Sequence, residues 1–182
     1  MLLIMTTSEP WNSDFALPEG QVIYKASSPY RLWGRKAFVD KISPDSSGSG
    51  QDRFSRLAQV DFHTIMPSTI TMGGQTQSVN EMFSKKGMSW HGSNRIFRGP
   101  DGTEYSWKLG SSKAELYLND PAKTLVAKYH QKHYGVLQTA RPASLEIFPP
   151  GDQNPETVDL ILVTFVYIAY LRQSREDAAK SS

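Results

Sequence analysis

From Val22 onward the chain is written in short runs of Val, Ile, Tyr, Phe and Trp, cut by Gly, Pro, Asn and Asp. Runs of that kind favour β-strands. The pattern predicts strands over Val22–Ala26, Arg31–Ile42, Phe54–Thr64, Thr69–Met72, Ser78–Met82, Asn94–Arg98, Thr103–Leu109, Glu115–Leu118, Lys123–His130 and Ser144–Phe148. The clearest hairpin is Arg95–Leu109, where Gly99-Pro100-Asp101-Gly102 supplies the turn and Tyr105, Trp107 and Leu109 then fall on one face. Residues 1–20 hold Pro10, Pro18 and Gly20 and keep no period, so they read as a loosely ordered arm. Residues 43–53 have the Ser/Gly/Asp composition of a flexible loop, and 178–182 read as a disordered tail. A single domain over 21–177 is expected.

The final element breaks this pattern. Asn154-Pro155-Glu156 has the residues of a helix start: an N-cap acceptor, a proline in the first turn and an acid near the positive end of the dipole. The helix is expected over about 155–177. Leu160, Ile161, Leu162 and Val163 are consecutive and, at about 100° per residue, face every side of it. Its uncharged run, Leu160–Leu171, spans 12 residues. That is roughly 18 Å of helix against about 30 Å of bilayer hydrocarbon, so no transmembrane segment is expected. A helix with no polar face and no bilayer to sit in needs an enclosure of its own chain. The fold class is therefore mainly β (α+β): an antiparallel β-barrel of about ten to twelve strands enclosing the C-terminal helix.

Composition narrows the chemistry. The 182 residues include no cysteine, which excludes disulfides, thiolate nucleophiles and cysteine-based metal or iron–sulfur sites. Such a chain fits the cytosol, peripheral to membranes where it meets them. The apolar start Met1–Met5 is too short for a signal peptide. No P-loop, Rossmann glycine pattern, Gly-x-Ser-x-Gly elbow or His-Glu-x-x-His occurs, so no catalytic residues, no cofactor and no metal are expected. His130 and His133 lie three apart: on a strand they point to opposite faces, and on a turn they could converge but no acid between Pro121 and Leu145 completes a site. His63 and His91 stand alone.

Charge offers a more specific lead. The net charge is only +2, too little by itself to argue for nucleic acid. Yet no acid lies between Pro121 and Leu145, which carries Lys123, Lys128, His130, Lys132, His133 and Arg141 with Tyr129 and Tyr134 interleaved. These six residues are the candidate anion-binding site. A second basic stretch is Arg31, Arg35, Lys36 and Lys41. Either stretch suits phosphates of a lipid headgroup, or forms the solvated outer face of strands.

Four segments carry a resemblance to known families: "FRGPDGTEYSWKL" at Phe97–Leu109, the Leu-Val-Ala of "TLVAKYH" at Thr124–His130, "LEIFP" at Leu145–Pro149 and "VDLILVTFVYIAYLR" at Val158–Arg172. The linear pattern resembles a domain of unknown function from basidiomycete fungi. The architecture is similar to the tubby C-terminal barrel, shared by LURP-one-related proteins and phospholipid scramblases. That resemblance implies a barrel around a buried helix and, through tubby barrels, an affinity for phosphoinositide headgroups. No headgroup-binding motif aligns residue by residue, so it carries over no binding residues. The reading is a non-enzymatic binding module recognising anionic phospholipid at a membrane surface. The alternative is a protein-interaction or scaffold domain with no lipid role, and the third reading is an enzyme with an unrecognised site.

Overall fold

Thirteen antiparallel strands form one sheet in a computed structural model that describes residues 1–29, 34–43, 53–86, 93–109, 114–135 and 140–181. The first half contains β1 (Leu2–Met5), β2 (Ser13–Ala16), β3 (Val22–Ser27), β4 (Arg35–Ile42), β5 (Phe54–Phe62), β6 (Thr69–Met72) and β7 (Gln75–Ser78). A one-turn helix, α1 (Val79–Met82), leads to β8 (Ser84–Lys86), β9 (Asn94–Arg98), β10 (Glu104–Leu109), β11 (Ala114–Leu118), β12 (Leu125–His130) and β13 (Ser144–Ile147). The chain ends in α2 (Pro155–Lys180). The spatial order runs β7-β6-β5-β4-β3-β2-β1-β13-β12-β11-β10-β9-β8.

That order forces the sheet to curl. Laid flat, its two edge strands would stand about 58 Å apart at about 4.8 Å per spacing. Yet β7 and β8 are the edges, and the six Cα steps from Ser78 to Ser84 reach at most about 23 Å. The sheet therefore wraps until its edges nearly meet. Among the described residues no hydrogen bonds close it: α1 lies in the seam, with Val79 and Phe83 buried. Phe83 stacks on Tyr167 of α2 at 5.5 Å and meets Phe97 of β9 edge-on at 5.9 Å, so the seam is filled from inside.

Inward positions alternate as the pleat requires. Ala37 and Val39 of β4 face Val60 and Ala58 of β5 in register, and all four are buried. In the Gly99–Gly102 hairpin, Gly102 takes φ +82° and donates to Gly99 O at 3.0 Å, while Tyr105, Trp107 and Leu109 point inward. The enclosed object is α2: every residue from Ile161 to Ile168 is buried. Asn154 Oδ1 accepts from the Glu156 N–H at 2.9 Å, capping the helix where it begins. No helix among the described residues is long and apolar enough to cross a membrane.

Three expectations are corrected. Residues 1–20 are not a loose arm: β1 lies in mid-sheet between β2 and β13, and Leu3, Met5 and Phe15 are buried. Four-residue strands are too short to show a period, and long-range pairing makes them. Ser78–Met82 is not a strand, because Ser78 and Glu81 form a capping box that starts α1. The C-terminal residues 178–180 continue α2 rather than forming a tail. Residues 44–52 of the expected loop lie outside the described residues; at its base Ser43 N–H donates to Arg53 O at 2.7 Å.

Candidate functional site

Helix α2 defines two ends of the barrel. It starts where β13 finishes and is 26 residues long, about 39 Å, more than the strands can cover. Its last turns emerge at the end shared by the β5–β6 and β12–β13 connections. Here Tyr170 and Leu171 are half-buried and Gln173 and Ser174 are exposed. Among the described residues, three clefts ring this exit end. One of about 270 Å³ lies between Trp11, Tyr129, Lys132, Tyr134 and Arg172. A second, of about 350 Å³, is walled by Trp11, Arg35, Phe62 and Tyr170. The third, about 320 Å³, is bounded by His63, Met66, Asn80, Lys85, Arg95 and Tyr167.

The six candidate residues do not form one site. Lys123, exposed in the β11–β12 turn with φ 53°, sits at the opposite end of β12 from Lys132, roughly 30 Å away along an extended chain. Lys128 projects outward from β12 and pairs with Glu115 of β11 at 3.3 Å. His130 Nε2 meets Glu146 of β13 at 2.9 Å. The strand part of this acid-free stretch thus meets carboxylates of its cross-strand neighbours, which linear spacing does not reveal. Lys132, His133 and Arg141 do come together at the exit end. His133 and Arg141 exchange backbone hydrogen bonds of 2.9 and 3.0 Å, and Lys132 Nζ lies 4.9 Å from the centre of the Tyr134 ring. All four are exposed.

The second basic stretch is largely engaged. Lys36 pairs with Asp61 and Lys41 with Asp159, while Arg35 lies 5.6 Å from the Tyr170 ring centre in an exit-end cleft. Burial pushes the Asp61 carboxyl up, but bonds from Lys36 and Gln59 hold it below the usual carboxylate range. Arg31 and His91 lie outside the described residues.

Spacing alone missed the apolar tip of the exit end. Ile65 is 98 % exposed and Met66 65 % exposed in the β5–β6 connection. His63 fixes this loop, its Nδ1 3.1 Å from Pro67 O and its N–H donating to Ser68 Oγ at 3.2 Å. Ile65 and Met66 are thereby held outward, away from the core. An Ile-Met-Pro triplet between two strands was the available signal.

At the opposite end the polar groups serve the fold. Asp159, in the first turns of α2 and buried, accepts from Tyr24 Oη at 2.7 Å and from Lys41 Nζ at 2.8 Å. Burial, then the hydrogen bond and charge of Asp159, push the Tyr24 phenol far above its ordinary value. A wider cavity of about 730 Å³, with Leu57, Met72, Met82 and Leu160 between Arg56 and Arg98, opens beside it. Among the described residues no group of three or more His, Asp or Glu is placed to hold a metal.

The profile of a family of unknown function (DUF6593) matches residues 8–174. No curated protein and no solved structure matches the chain.

Proposed function

The chain belongs to the DUF6593 family, and we propose that it is a non-enzymatic module that docks on anionic phospholipid surfaces through the exit end of its barrel. The observation that carries this reading is the pairing of two outward apolar side chains, Ile65 and Met66, with cations of the same rim: Lys132, Arg141 and Lys85. Membrane attachment commonly needs two such signals, because neither is strong alone. Each cation near an acidic leaflet contributes about 1 kcal/mol, and each apolar side chain taken from water roughly 1.5–3 kcal/mol. The emerging turns of α2 stand at the centre of this rim. The kinship with tubby-like barrels and the fungal origin suggested by the sequence belong to the same proposal, and the enclosed helix supports the first.

Co-sedimentation with vesicles tests the reading. Binding to phosphatidylcholine containing phosphatidylserine, weakening as salt rises, is expected; equal binding to pure phosphatidylcholine, or binding to neither, overturns it. The competing reading, a protein-interaction domain without a lipid role, is favoured by the cavity at the opposite end, whose apolar floor lies between arginines. A partner retained after Lys132→Glu and Arg141→Glu would favour that alternative.

A further inference from the structure

Arg95 begins the exit-end half of β9 and is 6 % exposed, an unusual place for a guanidinium. Its Nη1 donates to Ser93 O at 2.9 Å, and it lines the same cavity as Tyr167 of α2. No carboxylate pairs with it among the described residues. Arg175 stands two turns beyond Tyr167 on α2, and burial followed by the charge of Arg95 holds it below its ordinary value.

The cavity beside them has the matching lining. Lys85, Asn80 and Ser174 add donors to Arg95, His63 stands at one side, and none of the described lining residues is acidic. The nearest carboxylate along β5, Asp61, is taken by Lys36 and Gln59. Met66 forms part of the rim, so the apolar tip and the cationic cavity share a wall. Its volume of about 320 Å³ suits a small polar group, near the lower end of the range of small-molecule sites.

We propose that this cavity binds a phosphate monoester, with its terminal phosphate held by Arg95 and Lys85. A terminal phosphate carries about −1.5 to −2 charge at neutral pH and presents three acceptor oxygens. It answers two neighbouring cations better than the single charge of a phosphodiester, and a planar guanidinium binds it through parallel N–H donors. The proposal rests on the membrane reading only for its source of phosphate: a lipid headgroup seated beside Ile65 and Met66, or a soluble phosphate.

The test uses the full chain with two probes. The first is inorganic phosphate, followed by calorimetry. The second is vesicles of phosphatidylcholine with either phosphatidic acid, a monoester, or phosphatidylglycerol, a diester, adjusted to equal surface potential. Saturable phosphate binding is expected, with phosphatidic acid preferred by about tenfold or more, as loss of a charge-assisted contact implies. Lys85→Glu, at an exposed position, abolishes both while leaving the thermal midpoint unchanged. Arg95→Lys, which keeps the charge but not the fork, weakens both. Should phosphate saturate the site while neither vesicle binds, the site stands with a soluble ligand and the membrane reading fails. Equal, salt-sensitive binding to both vesicles without phosphate saturation overturns the site and leaves the membrane reading standing. If Lys85→Glu leaves phosphate affinity unchanged, the site is refuted whatever Arg95→Lys does.

Discussion

Trp107 Nε1 donates to Thr164 Oγ1 across 3.0 Å, from the wall of the barrel to the helix inside it. Both residues are fully buried, and the Thr164 hydroxyl is also within bonding distance of Leu160 O and Ile161 O, at 2.8 and 3.1 Å. Apolar burial holds the helix in the sleeve without direction; this bond selects its rotation. Thr164→Val keeps the shape but orphans the indole N–H, which is expected to cost about 1–3 kcal/mol in urea unfolding. In the Trp107→Phe background the same change costs less, because the donor is gone, and a double-mutant cycle measures the difference.

Alkaline pH is expected to loosen the opposite end of the barrel. The Tyr24 pKa is raised in the fold by burial and by Asp159. The stability this contributes is complete below the unfolded value of about 10 and is lost as pH rises above it toward the folded value. Urea midpoints measured from about pH 8 to 11 should fall, and Tyr24→Phe should flatten part of the fall. Tyr105, Tyr129 and Tyr167 are raised chiefly by burial, and Tyr117 to about 12 by burial and then Glu115, so they account for the remainder.

Charge changes along one strand and its following loop should have unequal effects. Lys128 already faces Glu115, so Lys128→Ala is expected to leave affinity for acidic vesicles within about twofold. Lys132→Glu with Arg141→Glu reverses two cations of the exit rim and is expected to weaken that binding by tenfold or more, at about 1 kcal/mol per charge removed and further repulsion beyond it. Vesicle flotation at one salt concentration compares the two.

The legibility of this chain follows the range of its interactions. Helix α2 was readable because Leu160–Val163 leave no polar side, and burial of Ile161–Ile168 follows from that local fact. The Gly99–Gly102 hairpin was readable because turn chemistry and alternation lie within a few residues. β1 and β2 depend on β13 and β3, distant or short partners, and their four residues carry no readable period. α1 carried a local signature, Ser78-Val79-Asn80-Glu81, that outweighs the strand propensity of its neighbours. The candidate site divided for the same reason. Glu115 and Glu146 are far in sequence from the basic residues they pair with, whereas Lys132, His133 and Arg141 share a connection. Arg95, inside a strand and next to α2 only in space, had no linear signal at all.

Because the chain has no cysteine, a single one can report orientation at any chosen position. Ile65→Cys at the exit end and Asp101→Cys in the Gly99–Gly102 turn at the opposite end, each carrying a polarity-sensitive fluorophore, separate the two ends of the barrel. On adding phosphatidylserine-containing vesicles, the label at 65 is expected to shift to the blue and to be quenched by brominated acyl chains, while the label at 101 stays as in water. A label at 101 that enters the lipid, or one at 65 that remains in water while the protein is vesicle-bound, would contradict docking through the exit end.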